Sequence, residues 1–306
     1  MSGQPAGTLK RRDVYPGTLV DGRPAHNGTV GRLRRQLQRL LVSQGERKEA
    51  ELDWRLRTLP GVTRPNTVAL ISPKGGVGKT TSTFLVGNLL ASHLKLRAIA
   101  VDANPDFGTL ARLAPDERRC ERSLADLLDD AERLNTAAEL RAYVSRMPTG
   151  LHVLGAPRDA ELTASLGPDR YGELVAFLSC FYEVVLLDLG TGVAGPLARF
   201  AIERADQVVL VTTPEWVTAT VVLDALSHLQ HDRTTVALNK SLLRAADVQV
   251  IEERFRDEHL HRSITIPHDE QLATMLDTGA YALEALKRPT RLAIKRLGIA
   301  VSEQLV

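Results

Sequence analysis

The chain has 306 residues, 43% of them hydrophobic and 25% charged, which supplies material for a sizeable core and excludes a disordered chain. Its net charge of +2 conceals an asymmetry: residues 1–65 carry 13 Lys and Arg against 6 Asp and Glu, a net of +7, which leaves −5 on the rest. Two cysteines far apart, Cys120 and Cys180, exclude a disulfide framework and give no metal-ligand spacing.

No apolar run approaches the roughly 18 residues of a membrane span, and no signal-peptide core precedes the first helix. A cytoplasmic protein is expected, with any contact to nucleoid or membrane peripheral. The basic arm suits an anionic partner, nucleic acid or lipid; a solvated leader without a partner explains the same charge.

In chain order, residues 1–28 are rich in Gly, Pro, Thr and Asp, lack periodicity and read as a disordered leader. Residues 29–65 read as a basic helical extension. Val30, Leu33, Leu37, Leu40 and Leu41 share one helical face, while Arg32, Arg35 and Arg39 lie off it. Ser43-Gln44-Gly45 is expected to interrupt, with a second helix from Glu46 to Leu59 ended by Pro60-Gly61 and Arg64-Pro65.

From residue 66 to 306, short apolar runs alternate with amphipathic stretches. Strands are predicted at Thr67–Ser72, Arg97–Asp102, Leu151–Leu154, Glu183–Asp188, Gln207–Thr212, Thr235–Asn239 and Ser263–Ile266. Helices are predicted at Thr81–Leu94, Ser123–Ala131, Tyr171–Phe181, Val217–Gln230 and Val248–Glu258. Continuous apolar strands between helices predict an α/β domain with a doubly wound, mostly parallel sheet covered on both faces.

Ser72-Pro73-Lys74-Gly75-Gly76-Val77-Gly78-Lys79-Thr80-Thr81 follows the first strand and opens the first long helix, the setting of a P-loop. Glycines let the backbone curl until its N–H groups reach phosphate oxygens, and the helix N-terminus adds positive potential there. Lys79 is placed on the β- and γ-phosphates and the Thr80 hydroxyl on Mg²⁺. Pro73 stands where the general pattern has its first glycine.

The run Lys74 to Thr81 resembles the deviant Walker A motif of the MinD/ParA family of ATPases, in which that first position varies. The resemblance runs from about Val68 to the C-terminus and implies ATP and Mg²⁺ as ligands and a homodimer formed on ATP binding. In it Lys74 reaches the partner's phosphates, and a two-fold sandwich brings one such cation to each triphosphate. It also implies a protein partner that stimulates hydrolysis.

Other segments extend the likeness. Val185–Asp188 followed by Leu189-Gly190-Thr191-Gly192 resembles the family's Walker B strand and places Asp188 at the metal. Asn239 matches a strand-end residue that hydrogen-bonds adenine, and Pro267-His268 a loop over the base; both are otherwise ordinary turn residues. Asp102 matches the first of two aspartates, a catalytic and metal-site residue, but Asn104 occupies the place of the second. An amide orients water without taking up its proton, so slow or partner-dependent hydrolysis is expected, with Asp106 an alternative carboxylate.

Three functions compete on this reading. The first is an ATP-gated dimerising switch that positions, partitions or regulates a macromolecular cargo, with a MinD-like regulator of type VII secretion as one branch. The second is a metabolic or metal-handling ATPase of the same fold, disfavoured by the unpaired cysteines; the third is a nucleotide-binding scaffold with little hydrolysis. Non-specific DNA or anionic membrane would be met through residues 1–65 or through the basic C-terminal segment from Lys287 to Arg296. Alternatively Leu292, Leu297, Val301 and Leu305 simply pack that last helix on the sheet.

Overall fold

The computed structural model of the chain describes residues 29–104, 108–214, 233–242, 245–257 and 262–305, with side chains from Gln44 onward. The predicted disordered leader 1–28 and the predicted helix Val217–Gln230 lie outside them, as do Pro105 and Asp106. The chain divides into two compact units, residues 1–44 and 45–306.

In the larger unit the predicted strands all form: β1 (Asn66–Ser72), β2 (Ala98–Ala103), β4 (His152–Leu154), β5 (Val184–Thr191), β6 (Gln207–Thr212), β7 (Thr234–Ser241) and β8 (Ser263–Pro267). A two-residue strand, β3 (Ser145–Arg146), was not predicted; it pairs antiparallel with β4 at one edge. The order is β3-β4-β2-β5-β1-β6-β7-β8, and every pairing except β3 with β4 is parallel. β1 is central, so the loops that follow β1, β2 and β5 emerge side by side at one end of the sheet.

Alternate residues of each central strand enter opposite cores. Val68, Leu70, Ala98, Ala100, Val184 and Leu186 pack on one face, and Ala69, Ile71, Ile99, Val101, Val185 and Leu187 on the other. This is why the strands read as continuous apolar runs rather than as alternating ones.

The helices are α1 (Thr29–Thr58), α2 (Lys79–Ser92), α3 (Leu124–Asp130), α4 (Ala137–Leu140), α5 (Ala160–Ser165) and α6 (Pro168–Ser179), followed by α7 (Pro196–Arg204), α8 (Ala245–Asp257), α9 (Glu270–Thr278) and α10 (Arg288–Ser302). α2 and α10 cover one face, where a Cβ on Gly298 would come within 2.5 Å of the Leu89 side chain. α6 and α7 lie on the other.

One sequence expectation is corrected at the N-terminus. The interruption at Ser43-Gln44-Gly45 does not occur: α1 is continuous from Thr29 to Thr58. A glycine inside a helix costs only about 1 kcal/mol, and here the missing side chain lets the Arg288 guanidinium approach to 3.0 Å from where a Cβ would sit. The larger compact unit begins at Gly45 and buries Leu52 and Leu56 in its core.

That packing carries a buried ion-pair network. Glu49 accepts from Arg291 Nε at 2.8 Å and Nη2 at 3.1 Å, and from Lys295 Nζ at 3.1 Å. Lys295, 2% exposed, also pairs with Asp53 at 2.6 Å. Leu297, Val301 and Leu305 are buried and Leu292 partly so, as the packing alternative for the last helix expects. Arg291 and Lys295 are therefore engaged by α1, and of the basic C-terminal segment Lys287 and Arg296 stay exposed.

Hydrogen bonds from Arg291, aided by Lys295, hold the Glu49 carboxyl down to about 2, below its ordinary 4.5. Its stabilisation is complete above about pH 4.5 and is lost as pH falls through 2. Glu49→Ala strands a buried ammonium beside Asp53 alone and is expected to cost about 3 kcal/mol at neutral pH. Urea unfolding checks this: the gap from wild type should narrow between pH 4.5 and 2, and equal stability at pH 7 would remove the network from the account.

Candidate phosphate-binding site

The loop between β1 and α2 is shaped by its glycines. Gly76 and Gly78 take φ of +74° and +92°, left-handed backbone that side chains rarely adopt. At Gly78 a second constraint applies, because a Cβ would fall 2.1 Å from Asn239 Nδ2. α2 begins at Lys79, so its unpaired first-turn N–H groups face the curled loop and concentrate positive potential there.

Lys79 is almost wholly buried, and its Nζ lies 3.1 Å from Asp188 Oδ1. The Thr83 hydroxyl donates to the same oxygen at 3.2 Å or to the Lys79 carbonyl at 3.1 Å. In the sheet Asp188 is registered with Leu70 of β1 on one side and with Asp102 of β2 on the other. Registered neighbours share a face about 4.8 Å apart, so two carboxylates stand together inside the protein.

Burial first, and then the charge of Asp188, push the Asp102 carboxyl up from 3.8 to about 7. Backbone N–H groups of Leu110 at 2.9 Å and Asn104 at 3.4 Å, with Lys79, pull it the other way. Asp188 Oδ2 is buried and has no hydrogen-bond partner among the described residues. An orphaned carboxylate oxygen near a second carboxylate, with the half-buried Thr80 one helical turn before Thr83, forms a hard oxygen set. That donor chemistry fits Mg²⁺.

The remaining predicted residues fall around this centre. Lys74, Gly75 and Gly76 are exposed on the loop, Val77 is buried beneath it, and Thr81 is half-buried at the start of α2. Asn104 lies just past β2, half-buried beside Asp102.

Asn239, near the end of β7, is buried and its amide donates to the Val77 carbonyl at 2.9 Å. The following Lys240, at φ +55°, sends Nζ to the Gly76 carbonyl at 2.7 Å. The end of β7 thus braces the loop from the far side of β6. Pro267 ends β8 opposite Ser241, and exposed His268 donates its N–H to the Ser241 carbonyl at 2.9 Å.

Thr83 and Lys240 are the two site residues that sequence reasoning missed. Thr83 was legible in principle, being three residues after Thr80 on the same face of α2. Lys240 was not, because its reach to Gly76 depends on a left-handed turn and on strand order.

Comparison with known proteins agrees with this geometry. The family model for the CobQ/CobB/MinD/ParA nucleotide binding domain matches residues 68–300. The chain is 33% identical over 172 residues to the ESX-1 secretion-associated protein EspI of Mycobacterium tuberculosis, covering 56% of this chain and 25% of EspI. It is 28% identical over 148 residues to the septum site-determining protein MinD of Bacillus subtilis, covering 48% and 53%. The chain therefore spans a quarter of the first relative's length and about half of the second's.

Among solved structures, a ParA family ATPase from Chlorobium tepidum TLS superposes with a TM-score of 0.65 at 20% identity, covering 76% of this chain and 98% of its own. MinD from Pyrococcus horikoshii OT3, complexed with Mg-ADP, gives 0.58 at 20% identity, covering 76% and 94%. At that identity the likeness is one of fold.

A folded-state carboxyl near 7, against 3.8 when free, binds its proton more tightly in the folded protein, so Asp102 costs stability as pH rises from about 4 to 7. Asp102→Asn removes that loss. Thermal or urea unfolding without nucleotide should show the variant gaining on wild type between pH 4 and 8, by up to roughly 4 kcal/mol for a shift of this size. A gap that stays constant with pH means that Asp102 titrates normally.

Proposed function

As a member of the CobQ/CobB/MinD/ParA nucleotide-binding family, the chain is, we propose, an ATP-dependent dimerising switch that hydrolyses ATP slowly and acts on a macromolecular cargo. The observation that carries this reading is the pair of lysines on one glycine loop, Lys79 buried against Asp188 and Lys74 exposed on the outer side. In this reading one ammonium serves the nucleotide of its own subunit and the other a nucleotide across a two-fold interface.

Loop and α2 N–H groups bind the phosphates of ATP, and Lys79 exchanges Asp188 for phosphate oxygen. Thr80, Asp188 and Asp102 would hold Mg²⁺, which supplies charge neutralisation at the β- and γ-phosphates. Asn104 orients water but accepts no proton from it, which sets a low intrinsic rate and leaves room for a stimulating partner. In this reading Pro267 and His268, at the end of β8 next to β7, form the loop over the base. With its amide on Val77, Asn239 reaches adenine only by releasing the loop carbonyl.

The identity with a secretion-associated relative favours, as cargo, a secretion apparatus over a chromosome or plasmid. Engagement of Arg291 and Lys295 by α1 weighs against α10 as a DNA-binding surface. No helix among the described residues is long and apolar enough to cross a membrane.

Light scattering on the eluting protein tests the switch. A non-hydrolysable ATP analogue should convert monomer to dimer and ADP should not; Lys74→Ala should keep nucleotide affinity within about threefold yet stay monomeric. Dimers of Lys74→Ala equal to wild type would sink the reading.

Phosphate release tests the role of Asn104. Asn104→Asp should raise intrinsic turnover about tenfold or more, within the range of a positioned base. Unchanged turnover would instead favour the scaffold that binds without hydrolysing.

A further inference from the structure

A second cavity lies beyond the C-terminal ends of β2 and β4, beside the carboxylate pair. Its volume is about 450 Å³, within the range of small-molecule sites. One wall is the 3₁₀ turn Leu110–Leu113 with Gly108 before it; a second is Gly155–Arg158 after β4; the third is the segment 119–122 leading into α3. The parallel bridge between Ser123 and Gly155 and the hydrogen bond from Leu124 N to the Gly155 carbonyl, at 2.9 Å, tie the second wall to the third.

Among the described residues, four guanidinium groups line this space, those of Arg112, Arg119, Arg122 and Arg158, against one lining carboxylate, Glu121. Arg158 pairs with Glu121, and Arg119 with Asp116 outside the lining at 2.8 Å. Arg119 is further held by the Arg112 and Ala114 carbonyls, each at 3.0 Å, and its Nε is buried without a hydrogen-bond partner among the described residues. The Arg122 guanidinium lies 4.5 Å over the Tyr143 ring, which fixes its plane, and its charge also acts on the Asp126 carboxyl. Carbonyls orient Arg119 and a ring orients Arg122, and among the described residues the lining holds more guanidinium than carboxylate groups, with Asp116 and Asp126 the further carboxylates close to Arg119 and Arg122.

We propose that this cavity is a binding site for the phosphoryl group of a small molecule. A phosphate carries close to two negative charges at neutral pH, suits a lining richer in guanidinium than in carboxylate groups, and accepts bidentate hydrogen bonds from planar guanidinium forks. A single carboxylate supplies half that charge.

The site communicates with the nucleotide centre through a short path. Arg112 belongs to the turn whose first residue, Leu110, gives its N–H to Asp102 Oδ2 at 2.9 Å. Gly108 forms part of the cavity wall and approaches Asp102 so closely that a Cβ would overlie the carboxylate, 2.3 Å from Oδ2. An anion drawn to Arg112 therefore pulls on the backbone that positions Asp102. This coupling, unlike the binding itself, rests on the role proposed for Asp102 in ATP turnover.

Titration calorimetry of the full chain with inorganic pyrophosphate and, separately, with AMP tests the proposal. It is run on wild type, on Lys79→Ala and on the double variant Arg112→Gln/Arg158→Gln; both arginines are exposed, and equal melting temperatures show that the double variant folds. Lys79→Ala should keep one binding event, and the arginine variant should weaken that event at least tenfold. Tighter pyrophosphate identifies bare phosphate as the ligand chemistry, and tighter AMP a nucleotide. Binding abolished by Lys79→Ala and untouched by the arginine variant places all phosphate in the P-loop and overturns the proposal, as does the absence of any event in Lys79→Ala at millimolar ligand. Loss of ATP binding in Lys79→Ala reports on the nucleotide site separately.

Discussion

One ammonium facing two carboxylates, all three buried, is the constraint around which this molecule is arranged. Lys79 reaches Asp188 because α2 starts directly off the loop that follows β1, and Asp102 stands beside Asp188 because β2 and β5 are in register there. Left without further partners the cluster is short of positive charge, and it responds by raising the affinity of Asp102 for a proton. In the proposed switch a divalent cation would satisfy both carboxylates and free Lys79 for phosphate. The same imbalance that strains the ligand-free protein thus favours Mg·ATP in the proposed switch, and it explains why so polar a cluster is kept at the edge of an apolar sheet.

A second network does structural work at a distance. Glu49 and Asp53 of α1 neutralise Arg291 and Lys295 of α10 in surroundings where an unpaired Lys295 would be costly. Charges that look in sequence like a surface for polyanions are internal cross-links between the N-terminal helix and the last one. With Leu52 and Leu56 they make residues 45–58 part of the folded unit. An excess of positive charge open to a ligand is found instead around Arg112, Arg119, Arg122 and Arg158, which no short motif brings together.

Much of the fold was readable because its signals are local. Apolar runs between amphipathic stretches marked β1, β2 and β4 to β8, with ends differing by up to three residues, and Gly75 to Thr81 marked the loop. The two-residue β3 carries no such pattern, and α7 and α9 went unpredicted. Gly45 misled because a glycine weakens a helix locally, whereas the close approach of Arg288 that rewards it is long-range. The contact of the Asn239 amide with Val77 was hidden for a similar reason, since only strand order sets the two together.

The sequence by itself determined the chemistry of the site: a glycine loop that must cradle phosphate, two lysines on it, an aspartate at the end of each of two apolar strands, and an amide where a carboxylate was expected. These depend on residue type and on spacing along the chain. Tertiary structure alone decided that Asp102 and Asp188 are neighbours, that Lys240 and Asn239 brace the loop, and that α1 engages Arg291 and Lys295 of α10. Each of those joins residues 80 to 250 positions apart, and contacts of that kind are set by sheet register and helix packing, which no local pattern encodes.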